Sequence, residues 1–67
     1  MPHYRCYFLG SDGHIKGVEE IYGDTDHDAV QAARHSLARR LHEVAFELWQ
    51  GARRVGGEAR KLPSGSG

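Results

Sequence analysis

A single cysteine stands in the 67-residue chain, so Cys6 has no partner for an internal disulfide. No C-x-x-C or C-x-x-H spacing is present to hold structural zinc. No apolar run approaches the roughly 20 residues that a membrane helix needs. The chain opens directly on strand-like sequence, without the charged and then apolar leader of a signal peptide. Neither sign of charge dominates: nine Lys and Arg balance nine Asp and Glu, with five histidines besides. That balance disfavours nucleic acid and anionic membrane, both of which select basic surfaces. It also leaves little electrostatic protection against self-association. The expectation is a cytoplasmic protein with no cofactor.

These absences weigh more because the chain is short. It has room for one domain, expected over residues 1–58, followed by a flexible Ser/Gly-ended tail over 59–67. A chain of this size buries only about 60% of the surface its unfolded form exposes. Small scaffolds commonly rely on disulfides, a metal or a partner subunit to make up the difference. With the first two set aside, a homo-oligomer is the expected source of additional buried area.

What the chain does contain is well punctuated. Tyr4 to Leu9 alternates, placing Tyr4, Cys6 and Phe8 on one side and Arg5, Tyr7 and Leu9 on the other. Gly10-Ser11-Asp12-Gly13 supplies hairpin turn chemistry. A second strand is predicted over 14–21, where Ile15 and Ile21 share a parity that Val18 breaks, so a bulge is expected near Gly17. Asp24 or Thr25 caps a helix reaching toward Glu43, with Thr25 and Asp28 approximating a capping box. Val30, Ala33, Leu37 and Leu41 recur at helical spacing, while Ala29 and Ala33 allow a close approach to a sheet. Asp26 and Asp28 in the first turn and Arg39, Arg40 and His42 in the last would complement the helix dipole. Val44 to Trp49 returns to strand composition and Gln50-Gly51-Ala52 to a turn. Arg53 to Val55 then reads as a short edge strand, ended by Gly56-Gly57. The fold class predicted is α+β, in the order β-β-α-β-β, an antiparallel sheet with one helix on one face.

Candidate chemistry is thin. Asp24, Asp26 and Asp28 match the opening of a calcium loop, but Ala29 stands where that loop needs glycine and His35 where it needs glutamate. Helix capping accounts for these acids without a metal. His35 and His42 lie seven residues apart, about 10 Å along a helix, too far to share one ion unaided. His3 and His14 could approach across the first hairpin. The parity of Cys6 with Tyr4 and Phe8 makes it a small core residue rather than a nucleophile. Arg34, Arg39, Arg40, Arg53, Arg54, Arg60 and Lys61 could form a basic patch beside the sheet aromatics, the one route to a nucleic-acid surface. No nucleophile motif, phosphate loop or paired acid and base is present, so an enzyme is not expected.

The pattern Tyr4-Arg5-x-Tyr7-Phe8-Leu9, Asp12-Gly13-His14-Ile15, Ala29, Ala33 and Phe46-Glu47-Leu48-Trp49-x-Gly51-x-Arg53-x-Val55 resembles a family of short alphaproteobacterial α+β proteins. The likeness covers residues 2–56 and implies a compact domain with no assigned activity. Gly23-Asp24-Thr25 followed by Ala29 and Ala33 also resembles the helix start of the N-terminal domain of HicB-type antitoxins, which would imply a small toxin protein as partner. From the residues themselves, the leading expectation is a non-enzymatic module that self-associates. Its expected interface comprises Tyr4, Tyr7, Leu9, Phe46, Leu48 and Trp49.

Overall fold

A computed structural model describes residues 2–60. Four strands and one helix follow in order: β1 (His3–Gly10), β2 (Ile15–Tyr22), α1 (Asp26–Ala38), β3 (Glu43–Gln50) and β4 (Arg53–Ala59). The strands form one sheet in the order β2-β1-β3-β4, with every neighbouring pair antiparallel. This is the α+β, β-β-α-β-β arrangement that the sequence predicts. No helix among the described residues is long and apolar enough to cross a membrane.

The first hairpin turns where its chemistry allows. Gly13 takes φ +84°, a conformation that costs a side-chain-bearing residue but not glycine. The Asp12 carboxylate accepts from the His14 amide at 3.0 Å and locks the turn. Phe8 then lies opposite Gly17 and Leu9 opposite Ile15, so Lys16 is the extra residue of a bulge next to Gly17. The bulge resolves the parity conflict: Ile21 faces the core, while Ile15 and Val18 turn to the other side.

Helix α1 starts as the capping pattern predicts, with the Thr25 hydroxyl accepting from the Asp28 amide at 3.1 Å. Its end differs from the expectation. The helix stops at Ala38, so Arg39, Arg40 and His42 are not a last turn. Leu41 does not extend the buried stripe but is 87% exposed. A distant residue supplies the reason: the Arg60 guanidinium donates to the Leu37 and Arg40 carbonyls. The Arg39 and Arg40 amides tighten back onto Ser36 and Leu37. Carbonyls that would otherwise be orphaned at the helix end are thereby satisfied.

The last strand is also longer than the sequence suggests. Gly56 and Gly57 lie inside β4 instead of ending it, with Val55 the extra residue where the register shifts. A side chain at Gly56 would meet Val30 of α1 at 3.5 Å, and one at Gly57 would come within 2.7 Å of the Phe46 carbonyl. The glycines therefore accommodate close neighbours rather than terminating the strand. Ala59 closes β4, and the Arg60 amide bonds to Val44. The remainder of the expected tail, residues 61–67, lies outside the described residues.

The core forms between α1 and one face of the sheet. Tyr4, Cys6 and Phe8 of β1, Ile21 of β2, and Phe46 and Leu48 of β3 meet Ala29, Ala33 and Leu37 of α1. Ala29 and Ala33 are wholly buried, as befits small residues under which a backbone can approach a sheet closely. The Arg40 guanidinium carbon sits over Phe8, 3.8 Å from the ring centroid, and covers that part of the core with a cation–π contact.

Candidate interaction face

Alternation along each strand leaves a second face, which α1 does not cover. Register places Arg5, Tyr7 and Leu9 of β1 on it, beside Ile15, Val18 and Glu20 of β2. Ala45, Glu47 and Trp49 of β3 continue the surface, followed by Arg54, Gly57 and Ala59 of β4. Ile15 and Val18 are 57% and 52% exposed. With Tyr7, Leu9 and Trp49 they make one apolar tract across three strands. Isolated exposed apolar residues are ordinary on a monomer, whereas a contiguous tract is a candidate contact surface.

Tyr7 and Trp49 stand on the two inner strands, Tyr7 in the middle of this face and Trp49 nearer the β3–β4 turn, in the cross-strand row of Arg5 and Arg54. They flank two adjoining hollows of 230 and 480 Å³, the first bounded by His3 and Arg5 and the second by Ile15 and Glu47. The Trp49 indole donates to Glu47 at 3.4 Å. Charge is confined mostly to one end. Glu20 bonds to His3 and lies 3.4 Å from Arg5. The His3 hydrogen bond, reinforced by the charges of His3 and Arg5, holds the Glu20 carboxyl below the usual carboxylate range. His3 also rests against Tyr22, with ring centroids 5.1 Å apart. Arg54 has no ion-pair partner among the described residues. Its side chain reaches over Gly57, where an added Cβ would come within 2.7 Å of Nη2.

The six interface residues expected from sequence divide between the two faces. Tyr7, Leu9 and Trp49 come together on the open one. Tyr4, Phe46 and Leu48 are packed beneath α1 and at most 2% exposed. Ile15, Val18 and Arg54 join the open face without having been expected there. The signal for Ile15 and Val18 was available in their shared parity once Lys16 is counted as a bulge.

Other sequence candidates are taken up structurally. Asp26 receives Arg53 on both oxygens at 3.0 Å and the Tyr4 hydroxyl at 2.8 Å. Arg53, and then Tyr4, hold its carboxyl below the ordinary value, and the same contact raises the Tyr4 phenol. The cluster ties the start of α1 to the β3–β4 turn. Arg34 is engaged by Glu58, Arg40 by Glu43 at 3.6 Å, and Arg60 by the helix end. Apart from Lys61, outside the described residues, the expected basic patch is thus largely spent in contacts within the fold. His42 falls beyond α1, so it shares no helical face with His35. His3 and His14 lie at opposite ends of the first hairpin. Cys6 is fully buried, and that burial, with Glu19 adding to it, pushes the thiol up to about 12. It is held as a neutral thiol rather than a nucleophile.

Among the described residues, no three His, Cys, Asp or Glu side chains are grouped closely enough to hold a metal. Compared with protein-family models, curated proteins and solved structures, the chain matches none.

Proposed function

We propose that this chain is a non-enzymatic interaction module that associates with a second copy of itself through the helix-free face of its sheet. The observation that carries the reading is the apolar tract of Tyr7, Leu9, Ile15, Val18 and Trp49 on the face opposite α1. Aromatic residues on the two inner strands, beside an apolar stretch at one end and charged groups at the other, match the mixed composition of a protein contact.

Size supports the same reading. Four strands at about 4.8 Å spacing and about 3.3 Å per residue give a face of about 500 Å² in projection. Two copies face to face would bury about 1,000 Å² or more, where specific interfaces begin. Charge favours a second copy over a strongly charged partner, because Arg5 and Arg54 are balanced by Glu20 and Glu47 on the same face. A foreign small protein would need its own complement to that mixture; a second copy already carries one. A cytoplasmic location goes with this reading, since one buried thiol and no disulfide suit a reducing compartment.

Replacing Trp49 tests the proposal. Sedimentation of the wild-type chain at micromolar concentration should give about twice the 7.5 kDa of one chain. Trp49→Ala should raise the dissociation constant about 1,000-fold, because the symmetric pair loses two aromatics, one from each copy, each worth about 2 kcal/mol. A monomeric wild type, or a variant that associates equally well, overturns it.

A further inference from the structure

We infer that the two copies meet about a two-fold axis running parallel to the strands, with β1 of one copy over β3 of the other and β2 over β4. This rests on the proposed self-association and specifies its geometry. The cross-strand rows of the open face are complementary about this axis. One row reads Glu20, Arg5, Trp49, Arg54 from β2 to β4; the next reads Val18, Tyr7, Glu47, Gly57; the third reads Ile15, Leu9, Ala45, Ala59.

A two-fold rotation about an axis along the strands, centred between β1 and β3, reverses each row onto itself without any slide. The first row then places Glu20 against Arg54 of the second copy and Arg5 against its Trp49. Both pairs occur twice. The acid–base pair joins Arg54, otherwise without an ion-pair partner among the described residues, to a carboxylate. Arg5 over an indole is a cation–π contact. The third row sets Leu9 against alanine and Ile15 against alanine, large against small, as interdigitating sheets require. In the middle row the Tyr7 hydroxyl meets Glu47. Sheet twist sets stacked sheets about 30° apart, so alignment is best at the central pairs. The long Glu20 and Arg54 side chains can absorb the drift at the corners.

The other in-plane two-fold, perpendicular to the strands, fits the residues badly. Centred on the Tyr7 row, it sets Arg5 on Leu9 and Glu20 on Ile15, burying charge against apolar side chains. Centred on the Arg5 row, it sets Glu20 on Glu20 and Arg54 on Arg54. Like charges facing each other are costly.

A charge exchange tests the axis. Glu20→Arg alone and Arg54→Glu alone should each weaken the homodimer at least about tenfold, because each creates two like-charge pairs. An equimolar mixture of the two variants restores both attractions and should form a heterodimer within about threefold of wild-type affinity. Sedimentation reads the masses, and circular dichroism checks that each variant folds. A wild-type dimer whose mixed variants show no recovery overturns the axis but leaves self-association standing. A monomeric wild type overturns both. If Glu20→Arg does not fold, the neutral pair Glu20→Gln and Arg54→Gln serves in a double-mutant cycle. The double variant should then be no weaker than either single one, whereas additive weakening contradicts the pairing.

Discussion

Leu48→Ala is the sharpest probe of how little core a single copy has. Leu48 is fully buried on an inner strand with α1 above it. Its cross-strand neighbours are Cys6 on one side and Gly56 on the other. One is small and the other has no side chain, so neither can swing into the vacated space. A cavity that cannot collapse puts the loss at the upper part of the range for a buried leucine, about 3–5 kcal/mol. A chain of this length is stabilised by only about 3–10 kcal/mol in total. The variant should therefore sit close to its unfolding midpoint before any denaturant is added. Urea titration followed by far-ultraviolet circular dichroism, at one fixed protein concentration, measures the difference. A loss below about 1.5 kcal/mol would mean that α1 settles into the gap, refuting the reasoning from small neighbours.

Three further outcomes follow from the geometry. Because Arg53 and Tyr4 depress the Asp26 carboxyl, its stabilising effect is present above the unfolded-state value near 4 and lost as pH falls through the folded value. The urea midpoint of the wild type should thus approach that of Asp26→Asn in acid; a constant gap between pH 7 and pH 2.5 would contradict this. Gly57→Ala should cost about 1–3 kcal/mol because its Cβ meets a backbone carbonyl, while Gly56→Ala, meeting only a methyl of Val30 at 3.5 Å, should cost under about 1 kcal/mol. Equal effects in thermal unfolding would refute the distinction. The Cys6 thiol should resist an aromatic disulfide reagent at pH 8 in the native state and react promptly in urea, with labelling timed by absorbance; fast native reaction would show that the thiol is neither buried nor neutral.

The fold was legible wherever its determinants are local. The Thr25 cap, the Asp12-Gly13 turn and the Lys16 bulge are each set by a few consecutive residues. The helix end was not, because Arg39 and Arg40 suit a last turn equally well. What terminates α1 is Arg60, twenty residues away, whose guanidinium takes the carbonyls that further turns would use. The two glycines of β4 misled for the same reason: their role depends on Val30 and Phe46, which only the folded chain brings near. Strand parity separated Tyr7 and Leu9 from Tyr4, but alternation does not say which face a helix will cover. Phe46 and Leu48 went under α1, and Trp49, one residue on, did not.

If a second copy completes the molecule, its stability depends on chain concentration. The most direct measurement is the thermal unfolding midpoint at 1 and 100 μM chain. If two copies unfold together, the hundredfold rise in concentration lifts the midpoint by about 5–10 °C. A midpoint that does not move between the two concentrations means each copy folds alone, and contradicts the central claim.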